Sequence, residues 1–227
     1  MRFLIGIIML FYSRFLAAGV PPRLESLREN IVKESLKHDI NPALVAAMIF
    51  QESGGKLDAH EYSYGYPYFY KPAFFAEMHN IPLETEMEAQ RTSYGLMQIK
   101  CSTARYIGFS RPCQKLYNAP TNLAFGVKYL AILKRRYKSD PDMISAYNQG
   151  QPFRFSNGKF KNDRYVRNVL ILERRFQQWF QKPKPDSTSS FTETAVKDVK
   201  TLAIPFEVSR LSFSPVVSAT IAMQTKF

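Results

Sequence analysis

Residues 40–55 read INPALVAAMIFQESGG. Asn41 is a helix-capping residue type, and Pro42 behind it suits the first helical position, where its missing N–H costs nothing. Gly54-Gly55 closes the run, as glycine commonly ends helices. The spacing predicts a helix with Val45, Met48, Ile49 and Glu52 on one face. A carboxyl is thereby placed on an apolar stripe, at the helix's C-terminal end. Both placements disfavour its ionised form, because burial strips water and the helix end carries partial negative charge. A carboxyl kept protonated near neutral pH is a general acid. The blander reading, a Glu fraying into solvent beside Gly54, is not excluded by the helix alone.

Outward from this helix the pattern stays helical. Residues 24–37 carry Leu24, Leu27, Ile31, Val32 and Leu36 among charges and predict an amphipathic helix. Residues 56–92 lack a period and include HEYSYGYPYFYKP, which predicts an irregular, aromatic-rich loop with one or two helical turns at 83–90. CSTARYIG predicts a short helix ended by Gly108. A long helix follows from Thr121 or Asn122, with Leu123, Val127, Leu130 and Tyr137 on one face. Asp140 and Pro141 cap a short helix ended by Gly150, residues 153–164 form a polar loop, and RYVRNVLILERRFQQWFQ is the last helix, with Val166, Val169, Leu170 and Phe176 inward. From Pro183 the composition turns polar and rich in Pro, Ser and Thr, which predicts a linker-like, disordered tail over 183–227. The expectation is one compact, mainly α domain over residues 22–182.

The chain has 227 residues and a formal net charge of +12, with nine of the excess positive charges in residues 20–182. Such basicity suits nucleic acid or an anionic surface. No RRM, KH, zinc-finger or helix-turn-helix signature accompanies it, so nucleic acid is not expected as a partner. Residues 1–19 begin with Arg2, continue as FLIGIIMLFY and end in small residues, Ala17 and Gly19, which fits an export signal. Arg14 beside the expected cut keeps an uncleaved membrane anchor as the alternative. In an exported chain the two cysteines, Cys101 and Cys113, are expected to pair as a disulfide; the alternative is two unrelated buried thiols. The three histidines are scattered, and neither a zinc site nor a cofactor is expected.

Two further stretches carry chemistry. SYGLMQI, residues 93–99, mixes Leu96, Met97 and Ile99 with Gly95, Ser93 and Gln98. The apolar residues anchor it, Gly95 lets something approach the backbone, and Ser93 or Gln98 presents a polar group to a cleft. SAYNQG, residues 145–150, sets Tyr147 beside Asn148, a ring face and an amide suited to an acetamido sugar. Singly, each also reads as an ordinary turn or cap.

Together and in order, INPALVAAMIFQESGG, SYGLMQIKCSTA, AYNQG and RYVRNV resemble the soluble-lytic-transglycosylase (SLT) family of peptidoglycan-cleaving enzymes, over about residues 25–176. The stretch between Glu52 and Ser93 is longer than is usual in the family. The resemblance implies a lysozyme-like fold and peptidoglycan glycan strands as substrate. It implies Glu52 as sole acid and base, closing a 1,6-anhydro ring on N-acetylmuramic acid without consuming water. Ser93, Gly95, Met97 and Gln98 would line the sugar cleft, with Tyr147, Asn148 and Tyr165 as its second wall and Tyr165 near Glu52. Glu61 and Glu77 lie in the long insertion. Glu61 is the residue a lysozyme-type hydrolase on the same fold would need as second carboxylate. A non-catalytic glycan-binding component of a cell-envelope machine, of secretion or conjugation type, is the remaining alternative.

Overall fold

The structure is a computed structural model and describes residues 20–182. The expected export segment and tail lie outside these residues. The order of elements is α1 (Pro22–Glu25), α2 (Arg28–Lys37), α3 (Pro42–Ser53), β1 (His60–Tyr62), α4 (Pro72–His79), α5 (Leu83–Arg91), β2 (Thr92–Tyr94), β3 (Ile99–Lys100), α6 (Cys101–Tyr106), a 3₁₀ turn (Cys113–Tyr117), α7 (Ala119–Arg136), α8 (Asp140–Gln149) and α9 (Asp163–Gln181). Among the described residues no helix is long and apolar enough to cross a membrane.

Helix α3 is the centre. Asn41 caps it, accepting a hydrogen bond from Ala43 N, and Gly54 ends it at φ 63°, a left-handed conformation that suits glycine. Every residue from Ala43 to Ile49 is buried. A helix apolar on all sides must be surrounded, and α9 lies along it most extensively, with α2 packing on it as well. The main core gathers Val45, Met48, Ile49, Leu96, Met97, Leu123, Val127, Leu130, Val169 and Phe176.

The segment 24–37 departs from expectation. It is broken at Ser26-Leu27 into α1 and α2, and the buried set is Leu24, Leu27, Ile31 and Ser35. Leu36, expected inward, is 70% exposed, one residue round the helix from that face. Two helix starts also differ. Asn118 caps α7 through Thr121 N, three residues before the expected start, and Ser139 rather than Asp140 caps α8.

The insertion is more ordered than its sequence suggests. Residues 56–59 and 63–71 are irregular, 60–62 form β1, and 72–91 fold as the helical hairpin α4–α5. The order comes from buried polar partners distant in sequence. Glu86 and Arg105 are fully enclosed and joined bidentately, Nε to Oε1 at 3.0 Å and Nη2 to Oε2 at 3.1 Å. Arg105 also lies 3.9 Å over the Phe75 ring and donates to the carbonyls of Phe109 and Arg111. Gln90 clamps the backbone of Tyr70, accepting from its N–H at 2.8 Å and donating to its carbonyl at 3.1 Å. The structure joins Cys101 to Cys113, under this network, as a disulfide. Strands β1, β2 and β3 form one antiparallel sheet in that order, with Glu61 opposite Ser93 and Ser93 opposite Lys100.

One side chain fastens the sheet to the helices. Asn122, fully buried on α7, accepts from Met97 N at 2.8 Å and donates to the carbonyls of Tyr94 at 2.7 Å and Leu116 at 2.8 Å. Removing it strands three buried backbone groups, each worth roughly 1–3 kcal/mol when unsatisfied. Asn122→Ala is expected to lose at least about 3 kcal/mol in chemical denaturation; a loss below about 1 kcal/mol would show that the fastening is not needed.

Candidate active site

Glu52 sits one turn beyond the apolar body of α3 and shares its face with Val45, Met48 and Ile49, all fully buried. The residue keeps some open surface, but its carboxyl is largely removed from water. Burial is the main cause that pushes its pKa up to about 7, opposed by the hydrogen bond from Tyr165 and assisted by the negative charge of Glu61. The Tyr165 hydroxyl, on α9, donates to Glu52 Oε1, with Met48 Sδ 3.7 Å from the same hydroxyl oxygen. Burial, followed by the neighbouring Glu52, holds the phenols of both Tyr147 and Tyr165 well above their usual range, so both remain donors. The pocket thus joins three chain-distant groups: a carboxyl on α3, a phenol on α8 and a phenol on α9.

Ser53, beside Glu52, fixes this pocket to the strip 93–99. Its hydroxyl lies 2.8 Å from the Leu96 carbonyl and 3.1 Å from the Ile49 carbonyl, and accepts from Gly55 N at 3.1 Å. Tyr147 donates to the Met97 carbonyl at 2.9 Å. The strip is therefore held from α3, α7 and α8 at once.

That arrangement changes the expected roles within the strip. Gly95 has φ 67°, and a Cβ there would lie 2.6 Å from Asn122 Nδ2 and 2.8 Å from the Leu116 carbonyl oxygen. The close approach it permits is that of α7 and the 3₁₀ turn. Met97 is fully buried and packs where Gly126 leaves room, a Cβ at Gly126 falling 2.5 Å from its sulfur. Gln98 takes φ 46° and donates through Nε2 to the carbonyls of Ala59 and Gly95, both at 2.9 Å. Ser93 is nearly buried and its Oγ accepts from Lys100 Nζ at 3.3 Å. Tyr147 is buried against Tyr129, with ring centroids 5.4 Å apart, rather than offering an open face. Asn148 is exposed, and its Oδ1 accepts from Asn162 Nδ2 at 3.1 Å. Of the expected set, Glu52, Tyr147 and Tyr165 come together, while the backbone of Gly95 and the side chains of Met97 and Gln98 serve the frame behind them.

Sequence reasoning missed Asn122, although the rule that singled out Glu52 reaches it. On α7 it shares a buried face with Gly126, Leu130 and Leu133, a polar residue on an apolar stripe. Glu77 lies exposed on α4, and Glu61 stands on β1, where its charge reaches both Glu52 and Lys100. Among the described residues the one close group of metal-ligand types is Glu86, Cys101 and Cys113. Its two sulfurs are joined to each other and its carboxylate to Arg105, which leaves no free ligand set.

The family model for the transglycosylase SLT domain matches residues 29–165, which contain Glu52, the strip 93–99, Tyr147 and Tyr165. The chain belongs to the SLT transglycosylase domain family. The SLT domain is here mainly α and lysozyme-like, with α3 as its buried helix. Among solved structures it is similar to lytic transglycosylase Slt from Pseudomonas aeruginosa, determined by X-ray crystallography as an inactive mutant. The identity is 20% and the TM-score 0.45, with 70% of this chain and 25% of that one covered. The chain thus spans about a quarter of that protein's length. No curated protein matches the chain.

The raised pKa of Glu52 has a thermodynamic signature. The folded chain binds the Glu52 proton more tightly than the unfolded chain, so protonation stabilises the fold most below the ordinary value of 4.5. That contribution is lost as pH rises from 4.5 through about 7 and is gone above it. Glu52→Gln cannot ionise and is spared the loss. The variant is expected to gain about 1–3 kcal/mol on wild type at pH 8 relative to pH 4, the upper end being the unscreened limit for a partly open residue. Denaturation of both proteins across this range checks it; a constant difference would mean that Glu52 titrates normally.

Proposed function

We propose that this SLT domain is a peptidoglycan lytic transglycosylase that cleaves the β-1,4 bond between N-acetylmuramic acid and N-acetylglucosamine and leaves a 1,6-anhydromuramyl end. The observation that carries the reading is the Glu52 carboxyl, kept from water on a buried helix and protonated up to about pH 7. Glu52 gives its proton to the glycosidic oxygen as the bond from muramyl C1 to that oxygen breaks. The substrate's own acetamido oxygen supports the positive charge that develops at C1. Glu52, now a carboxylate, takes the proton of the muramyl C6 hydroxyl as O6 bonds to C1. The enzyme returns to its starting state, and no water enters the balance. Tyr165 fits this cycle, because its O–H stabilises the carboxylate form after the first step.

The protein's positive charge suits a negatively charged cell-wall surface. In this reading residues 1–19 direct export to the periplasm or beyond, residues 22–182 are the catalytic unit, and 183–227 is a linker-like extension. Glycan strands are the partner, and a cell-envelope secretion or conjugation machine is a setting in which such a domain works. A lysozyme-type hydrolysis is the second reading, favoured by Glu61, which stands where its charge reaches Glu52.

General acid–base help is worth about 10²–10⁴-fold, and here one residue serves both steps. Glu52→Gln is therefore expected to lower turnover of purified sacculi by about 10⁴-fold or more while glycan binding and fold persist. Full activity in this variant would remove Glu52 from the mechanism.

A further inference from the structure

Between Glu61 and Lys71 lie five tyrosines and one phenylalanine, and no Leu, Ile, Val or Met. The inner rings are occupied. Lys100 Nζ lies 4.8 Å from the centre of the Tyr66 ring, the Arg91 guanidinium 5.0 Å from that of Phe69, and Tyr70 packs edge-on against Tyr106 at 5.6 Å. The backbone is held as well. Tyr66 N closes a turn onto the Ser63 carbonyl at 3.2 Å, with Gly65 inside it at φ 72°. Ser63 N donates to the Arg91 carbonyl at 3.1 Å, and Arg91 Nε donates to the Tyr66 carbonyl at 3.3 Å. Gln90 holds Tyr70 through both its N–H and its carbonyl. A loop pinned in this way still leaves three rings open: Tyr62 is 46% exposed, Tyr68 70%, and Tyr64, inside the turn 63–66, 95%. The Tyr68 ring meets that of Tyr66 edge-on at 5.5 Å, so it is oriented although open.

Open aromatic surface does little for the fold, and rings fixed in advance lose little freedom when a partner arrives. The surroundings of the rings indicate which partner. In a chain of net charge +12, Glu61 is the one Lys, Arg, Asp or Glu between His60 and Tyr70. Lys100, beneath the loop, has its three N–H donors engaged by Ser63 Oγ at 2.6 Å, the Arg91 carbonyl at 3.2 Å and Ser93 Oγ at 3.3 Å. Nucleic acid or an acidic membrane calls for free cations, which these rings lack. A sugar chain offers uncharged C–H faces for the rings and hydroxyls for the phenols. The loop also shares the frame of the active site. The Ala59 carbonyl accepts from Gly95 N at 2.7 Å and from Gln98 Nε2 at 2.9 Å, and β1 pairs with β2. Tyr62 follows three residues later, about 10 Å along an extended chain. Ser53, beside Glu52, is bonded to the same strip through the Leu96 carbonyl. We propose that Tyr62, Tyr64 and Tyr68 are a stacking platform for N-acetylated sugars of the glycan strand away from the bond being cleaved. The inference rests on the reading of the substrate as glycan. Contacts remote from the reacting bond act on ground state and transition state alike, so KM responds and kcat does not.

The test is binding of the full chain, in the Glu52→Gln background, to purified sacculi by co-sedimentation and to a β-1,4-linked N-acetylglucosamine hexamer by calorimetry. Tyr64→Ser combined with Tyr68→Ser is expected to weaken binding about 5- to 100-fold, if each ring contributes as a stacked aromatic pair does. The melting temperature should stay unchanged, since both side chains are open. Tyr64→Phe with Tyr68→Phe, which keeps the rings, should restore most of the affinity, and Leu36→Ser, at an open apolar residue on α2, should leave it intact. With Glu52 present, the double Ser variant should raise KM for sacculi and keep kcat. Equal binding by parent and double variant overturns the inference alone. So does a loss of affinity matched by a fall in melting temperature, which would make the rings part of the packing. Loss of self-association or of binding to anionic vesicles, with glycan binding kept, overturns it too and assigns the platform to a second copy or to a membrane. A parent that binds neither probe contradicts the glycan reading itself, and this inference with it.

Discussion

A helix that is apolar on every side can exist only where other elements enclose it, and α3 imposes that requirement on the whole domain. Its seven consecutive buried residues, Ala43 to Ile49, draw α9 along one side and α2 and the strip 93–99 onto others. The enclosure carries a consequence for the last turn of the helix. Glu52 stands on a face otherwise filled by apolar side chains, and its carboxyl loses water that the Tyr165 hydroxyl partly replaces. Chemistry and stability are opposed at this position. An ionised Glu52 is costly to the fold, and in the proposed mechanism that same cost makes it a proton donor near neutrality.

The polar residues around Glu52 act largely as connectors. Ser53 links the end of α3 to the Leu96 carbonyl, Tyr147 links α8 to the Met97 carbonyl, and Asn122 links α7 to Tyr94 and Met97 of the same strip. Three helices thereby converge on the backbone of four residues, Tyr94 to Met97. Gly95 and Gly126 are needed for the same reason, since each leaves space that a neighbouring buried group fills. The strip is a rigid wall whose side chains mostly point into the frame. Its backbone is held at a fixed position relative to Glu52.

Much of this was legible in the sequence because it is local. The Asn41 cap, Pro42, the apolar run and the Gly54 stop define α3 without tertiary information, and the carboxyl on its stripe follows from helical spacing. The order of the four motifs named the family that the match over residues 29–165 shows. The roles of Gly95, Met97 and Gln98 were not legible, because a glycine beside a cleft and a glycine beside a packed Asn122 look alike in one dimension. The insertion was misread for a related reason. Its order depends on Glu86 meeting Arg105 and on Gln90 meeting Tyr70, contacts that leave no periodic trace. Leu36 shows the limit of periodicity itself: on the unbroken α2 the position one turn beyond Ile31 is Ser35, and Leu36, one residue further round, points outward.

The central claim is that one carboxyl, first as acid and then as base, closes the sugar on itself. It is tested most directly by digesting purified sacculi in ¹⁸O-labelled water and weighing the released muropeptides. The account predicts anhydromuramyl products, one water lighter than their hydrolytic counterparts and without label at muramyl C1. Labelled reducing ends as the main product would contradict it and make Glu61 the partner of a hydrolytic Glu52.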